Sequence, residues 1–253
     1  LKLRKLKYDV DIYDMGNDIF SGASTNNSFK IHKGYHYTRS AKTREMCILD
    51  EIKFCKEYSH LINSAVNNPK IYCVADDNRT ILDYKTMKII IDGTGLHYNE
   101  LTINELHSMG FRNIEGGFRV NEAVLLVDVA KRWFKQALQE DGVNLYLNYF
   151  IDQIGLNNLH NIKINNQPYD YVINCTYNQA LHLTSKYNSH FELCFYLIAA
   201  SKLPKELCKT ESFGIFDGPF PSIEPYGYKN LHAKFKQFDN KKLFQVFHVT
   251  NTI

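Results

Sequence analysis

The sequence predicts an α/β fold in two parts, a parallel crossover half followed by a strand-rich antiparallel half. Three observations predict it. A strand-like Val10-Asp11-Ile12-Tyr13 lies near the start of the chain. A long amphipathic helix closed by Glu140-Asp141-Gly142 runs straight into a second strand, Val143 to Leu147, and helix, Gly, strand is the crossover unit of a parallel sheet. From His190 onward, strand-like segments follow one another, as in an antiparallel sheet. The composition, 44% hydrophobic and 23% charged over 253 residues, excludes disordered, collagen-like and disulfide-scaffold classes.

Each element has a local reason. Leu1, Leu3 and Leu6, with Lys2, Arg4, Lys5 and Lys7 between them, read as the last two turns of a helix whose dipole suits cations at that end. Gly16 to Ser40 is a long loop rich in Gly, Ser and Asn, and such loops in compact domains are usually functional. Ser40 is a candidate N-cap for a helix over 41–66 carrying Met46, Leu49, Ile52, Leu61 and Ile62. Ile71 to Ala75 is a short strand, and Ile89-Ile90-Ile91 reads as another, ended by the turn Asp92-Gly93. Phe118 to Val120 is a strand edge. Asn121 caps the crossover helix, whose apolar face includes Leu126, Val129, Ala130, Trp133 and Phe134. Ile151 to Leu156, Asn161 to Ile164 and Tyr169 to Asn174 give three strands joined by Asn-Asn turns, with Tyr171-Val172-Ile173 buried. Later strands fall at Phe191–Ala199, Phe213–Phe216, Ala233–Phe238 and Leu243–Val249.

Charge indicates no polyanionic partner: 30 basic against 27 acidic side chains is too even to point to nucleic acid or acidic lipid. The six cysteines (Cys47, Cys55, Cys73, Cys175, Cys194, Cys208) form no C-x-x-C pair and no Cys/His cluster at zinc spacing. No metal centre is therefore expected, and the thiols read as reduced in a cytoplasmic protein. No run of 18 apolar residues exists, so no membrane span is expected. Gly93-Thr94-Gly95 lacks the lysine and flanks of a phosphate loop and is a turn.

Several segments carry more specific information. Val10-Asp11-Ile12-Tyr13-Asp14 ends a strand with a carboxylate, as the second strand of a dinucleotide-binding unit does. Asn27-Ser28-Phe29-Lys30-Ile31-His32-Lys33-Gly34-Tyr35-His36-Tyr37 follows, continued by Arg39-Ser40. Gly116-Gly117-Phe118-Arg119-Val120-Asn121-Glu122 precedes the long helix, and Tyr171-Val172-Ile173-Asn174-Cys175-Thr176 comes after it. Phe216-Asp217-Gly218-Pro219-Phe220 and Pro225-Tyr226-Gly227 come last. In this order and spacing the segments resemble the FAD-dependent oxidoreductases of the D-amino acid oxidase superfamily, which includes glycine oxidase, sarcosine oxidase and 2-hydroxyglutarate dehydrogenase. The spacing of Asn27, His32 and Gly34 is most similar to the hydroxyglutarate branch.

The resemblance implies a Rossmann-like FAD-binding domain, residues 1–66 and 116–180, interleaved with an antiparallel-sheet substrate domain, residues 67–115 and 181–253. The family's G-x-G-x-x-G on a first strand and its glycine-rich C-terminal flavin segment are not in the sequence, so a chain truncated at both ends is expected. By the same resemblance Asp14 binds the adenosine ribose, and Ser24 and Asn27 lie along the pyrophosphate and flavin. His32 and Gly34 face the cofactor, Gly34 letting backbone approach the ring. Ile151 reads adenine through its backbone, and Cys175 and Thr176 pass close to the cofactor, although Tyr177 and Asn178 follow where the family has Gly.

For catalysis the resemblance implies His36 against the flavin, with Arg39 and Tyr226 holding the carboxylate of a small-molecule substrate. Each has a plainer alternative: a loop imidazole bonded to backbone, a surface arginine at a helix start, a packing tyrosine. Tyr226 and His248 belong to the substrate sheet. The implied reaction oxidises a C–N or C–O bond of a small amino or hydroxy acid by hydride transfer to FAD. The alternative is a non-catalytic remnant or binding module, and the oligomeric state is open.

Overall fold

The computed structural model describes residues 1–25, 27, 29–63, 70–151, 154–156, 162–164, 166–176, 194–200, 212–218, 222–225 and 243–249. The chain begins with α1 (Lys2–Lys5), β1 (Asp11–Tyr13), β2 (Lys30–Ile31), α2 (Ala41–Glu57), β3 (Ile62–Asn63) and β4 (Lys70–Ala75). It continues through α3 (Tyr84–Asp92), β5 (Asn99–Leu101), α4 (Ile103–Ser108), β6 (Ile114–Val120), β7 (Ala123–Leu125) and α5 (Val127–Glu140). Strands β8 (Asn144–Tyr146), β9 (Ile154–Leu156), β10 (Ile162–Ile164) and β11 (Gln167–Tyr169) follow. The last are β12 (Cys194–Ala200), β13 (Ser212–Phe216), β14 (Ser222–Pro225) and β15 (Leu243–Val249). Two compact units result, residues 1–25 with 131–192 and residues 26–130 with 193–253, so the two are interleaved along the chain. Residues 26–66 and 116–130, which the sequence reading groups with 1–25, fall in the second unit.

In the first unit β1 and β8 pair in parallel, Ile12 opposite Leu145. Parallel neighbours need a long crossover, whose final piece is α5. Gly142 ends that helix at φ +65°, a left-handed position that suits glycine. Arg4 of α1 donates from Nε to the Asp141 carbonyl at 2.6 Å and from Nη1 to Asp9 at 2.5 Å. Phe20 meets Phe134 edge-on, centroids 5.4 Å apart. Strands β9, β10 and β11 form an antiparallel meander, and its second hairpin places Asn166 at φ +68°, which asparagine tolerates. Four tyrosines gather here: Tyr13 stacks on Tyr146 at 4.8 Å and lies near Tyr149 and Tyr169, whose hydroxyl donates to Asp11 at 2.6 Å.

The second unit is built on a seven-stranded sheet of order β12-β15-β14-β13-β4-β6-β5, antiparallel except for the parallel β13–β4 pair. All six residues of β4 are buried. Alternation along the strand sends Tyr72 and Val74 into one core with Tyr35, Met87, Ile91, Phe118, Val120 and Phe216. It sends Ile71 and Cys73 into the other, with Leu101, Leu106, Phe111 and Ile114. Gly116 is required by packing, since a Cβ there would stand 2.4 Å from the Tyr84 ring. A smaller sheet, β2-β7-β3, carries the loop that follows β2.

Several expectations are corrected. The helix predicted over 41–66 ends at Glu57, because Ile62 and Asn63 instead pair with β7. Ile89–Ile91 lies in helix α3: the Asp83 side chain caps it through the Thr86 N–H, and Met87 and Ile91, one turn apart, are buried while Ile89 is exposed. The crossover helix starts at Val127 rather than at an Asn121 cap, because Ala123–Leu125 is claimed by β2 and β3. Tyr171-Val172-Ile173 is not a buried strand: residues 171–176 are in no strand, and Tyr171 and Ile173 are 73% and 68% exposed. Ala233–Phe238 lies outside the described residues. Among the described residues no helix is long and apolar enough to cross a membrane.

Candidate functional site

The Lys30–Ser40 segment is shaped by backbone geometry and by α2. Gly34 has φ +101°, and a Cβ there would lie 3.1 Å from the Arg44 carbonyl oxygen of α2. Glycine is thus needed for the turn and for close packing on the helix. Arg44 Nη1 donates to the carbonyls of Tyr37, at 3.0 Å, and Thr38. Ser40 caps α2 by accepting from the Thr43 N–H at 3.3 Å, as its sequence position predicts.

Beneath the loop sits Glu122, fully buried. Its Oε1 accepts from the Lys33 N–H at 3.0 Å and its Oε2 from the Tyr72 hydroxyl at 2.5 Å. His32 Nδ1 lies 3.5 Å from Oε1, close enough for an ion pair when the ring is protonated, yet this buried nitrogen makes no hydrogen bond. Lys30 Nζ reaches the Tyr72 hydroxyl at 3.3 Å. Burial by itself raises the pKa of Glu122; the adjacent His32, the Lys30 charge and the Tyr72 hydroxyl outweigh it and hold the carboxyl at about 2. Tyr35, desolvated and facing Glu122 and Glu51, is pushed up to about 12, and its hydroxyl donates to the His97 carbonyl at 2.5 Å.

His36 keeps an exposed face while protein crowds the rest of the ring. That desolvation, then the like charges of His32 and Lys30, lowers it to about 4, so the imidazole is neutral at pH 7. It packs edge-on against Phe216 at 5.0 Å and lies 5.8 Å from His32, centroid to centroid. Arg39 donates from Nε to Asp217 Oδ1 at 2.5 Å. The Asp217 side chain is only 7% exposed, whereas that of Arg39 is 61% exposed.

The second unit thus brings together His32, Gly34, His36 and Arg39, and adds Lys30, Tyr72, Glu122 and Asp217, which the sequence reading does not single out. Glu122 left one sequence signal, a lone carboxylate between Phe118-Arg119-Val120 and the apolar run Ala123–Leu126. Asn27 belongs to the same unit and accepts the Phe29 N–H at 2.6 Å. Tyr226 lies outside the described residues, and nothing is described of the His248 side chain. The first unit holds the rest. Asp14 follows β1 and accepts the Gly16 N–H on Oδ1 at 2.7 Å, while its own N–H donates to Tyr146 and its carbonyl accepts from Tyr149. Ser24 lies in an exposed 3₁₀ turn, Ile151 is partly buried, and Cys175 and Thr176 are exposed, Thr176 being turned onto the Asn174 side chain at 2.8 Å. Among the described residues no group of His, Cys, Asp or Glu is arranged to hold a metal ion.

This fold, a parallel βαβ unit interleaved along the chain with a large mixed sheet, is similar to that of solved amino acid oxidases. Glycine oxidase from Geobacillus kaustophilus is similar to 99% of the chain and 68% of its own, with a TM-score of 0.68 at 14% identity. NikD, an unusual amino acid oxidase of nikkomycin biosynthesis, is similar over 98% of the chain and 66% of its own, at 0.67 and 12%. In sequence the chain is 28% identical over 236 residues to the FAD-dependent monooxygenase kojA of Aspergillus flavus, covering 89% of this chain and 54% of that protein. It is 26% identical over 223 residues to the FAD-dependent monooxygenase FPY4 of Fusarium mangiferae, covering 88% and 56%. The chain spans about half the length of these curated relatives. No family model matches it.

Proposed function

We propose that the protein is an FAD-dependent oxidoreductase that oxidises a C–N or C–O bond of a small amino or hydroxy acid by hydride transfer. The observation that carries this is the parallel β1–β8 pair closed by α5, with Asp14 at the carboxyl end of β1, the end of a parallel sheet where ligands bind. The curated relatives, named as FAD-dependent, support it. The residues fit the cofactor in chemistry. Asp14 gives Oδ1 to its own loop and has a second oxygen for ribose hydroxyls. Bound FAD supplies the two-electron acceptor.

The chain's own groups bind and orient. In the first unit Asp14, Ser24, Ile151, Cys175 and Thr176 hold the nucleotide end. In the second unit His36 offers a neutral imidazole. Arg39, its Nε engaged by Asp217, keeps its terminal nitrogens for a substrate carboxylate, with Tyr226 as second donor. The free thiols of Cys47, Cys55, Cys73 and Cys175 suit a cytoplasmic setting.

The test is the visible spectrum of natively purified protein before and after adding FAD. A flavin band that co-elutes and bleaches with a candidate amino or hydroxy acid is the expected result. A protein that stays colourless with FAD rejects the reading in favour of a non-catalytic binding module. In an active preparation, Arg39→Ala is expected to raise KM for a carboxylate substrate by about tenfold or more; an unchanged KM removes Arg39 from the site.

A further inference from the structure

Glu122 stands where a carboxylate is costly. It has no surface of its own, yet both oxygens are used: Oε1 by the Lys33 amide on the loop, Oε2 by the Tyr72 hydroxyl on β4. Lys30 joins the same group through Tyr72, and His32 lies beside Oε1. Glu122 therefore bridges the central sheet to the segment on which His32, Gly34 and His36 stand. A buried anion persists only where donors and counter-charges surround it, and removing it leaves those partners buried and unmatched. An amide at this position carries no charge and replaces one of the two carboxylate oxygens by an NH2 donor, so the separate acceptors that now serve Lys33 and Tyr72 are not both kept.

We propose that Glu122 is the positioning residue of the Lys30–Tyr37 segment: its carboxylate pins the Lys33 backbone to β4 and supplies the counter-charge for Lys30 beside Tyr72. It acts through the loop and touches no reacting atom. Its role toward a cofactor rests on the flavin reading above; its hold on the loop does not. The titratable groups that act on His36 are His32, Lys30 and Glu122, and Glu122 is the one that favours the protonated ring. Withdrawing the charge thus leaves a mark on His36 that loss of packing alone does not.

The test compares the wild-type chain with Glu122→Gln in the absence of cofactor, by amide hydrogen exchange and by NMR titration of the His36 ring. Expected are exchange at residues 30–37 faster by about tenfold or more, unchanged exchange in β4 and β6, and His36 titrating at lower pH than in Glu122→Asp, which frees the loop but keeps the charge. Wild-type exchange in the loop, or the same His36 titration in both variants, overturns the proposal. Glu122→Asp keeps the charge but is too short to span Lys33 and Tyr72, and it decides the matter should the Gln variant not fold. It is expected to free the loop, with His36 titrating at higher pH as the ring regains water, and a fully protected loop overturns the proposal. FAD binding is measured on the same samples. If wild type takes up no FAD while the variants still free the loop, the flavin reading fails and the positioning role stands. If FAD binds and neither variant changes the loop, the positioning role fails alone.

Discussion

Strand β4 of the second unit and strand β1 of the first show how neighbours decide what a strand can do. β4 lies between β13 and β6 and buries all six of its residues. β1 pairs with β8 alone among the described residues, and all three of its residues stay partly exposed. Charge follows the same division. The second unit hides Glu122 completely, whereas Asp11, Asp14 and Asp18 of the first unit keep contact with solvent. A strand covered on both faces can anchor a buried polar group, because surrounding packing holds its partners in place. A strand at the margin offers its terminal carboxylate to whatever arrives, as the proposed role of Asp14 requires.

The contrast is broken most severely in the core of the second unit. Leu106 is fully buried between α4 and the sheet, and Leu106→Ala is expected to cost about 2–5 kcal/mol, against about 1 kcal/mol for Ile12→Ala on β1. Denaturant unfolding checks the pair, and equal losses would erase the distinction between the units.

Acid is the next lever. Folded Glu122 ionises at about 2 rather than 4.5, so its carboxylate stabilises the fold above about pH 4.5. That contribution, on the order of 3 kcal/mol, is lost as pH falls toward 2. His36 acts in the same direction over a higher window: the folded ring protonates at about 4 instead of 6.5, so stability declines as pH drops from 6.5 to 4. His36→Asn is expected to flatten the upper limb and Glu122→Gln the lower. Denaturation midpoints measured across both windows decide it, and wild-type slopes in the variants reject the assignment.

Smaller effects sharpen the comparison. Gly116→Ala drives a methyl into the Tyr84 ring and is expected to cost about 1–3 kcal/mol. In the first unit, Asp18→Asn weakens ion pairs to Lys131 and Lys135 at 2.8 and 2.5 Å, partly open to solvent, and about 0–1 kcal/mol is expected. Trp133 fluorescence reports on that unit, and a loss above the Gly116→Ala value would reverse the order.

By itself the sequence determined what depends on near neighbours in the chain. The Ser40 cap, the crossover ending at Gly142, the parallel pairing of β1 with β8, the Asn turn of the meander and most of β4 were legible, because caps, glycine stops and hydrophobic period act within a few residues. Of the candidate site, the loop bearing His32, Gly34, His36 and Arg39 was legible as one segment. Its supports were not, because Tyr72, Glu122 and Asp217 are distant in sequence and meet it only through sheet pairing and the turn after β13. Tertiary structure alone decided the ambiguous apolar runs. Ile89–Ile91 became helix once Met87 and Ile91 could share a core, and Ala123–Leu125 became strand because β2 and β3 lay ready to pair. Residues 171–176 formed no strand, since an apolar run needs a neighbour to complete its hydrogen bonds and no described strand pairs with it. A buried charge such as Glu122 depends most on the whole fold, because its counter-charges and donors exist only after distant segments have met.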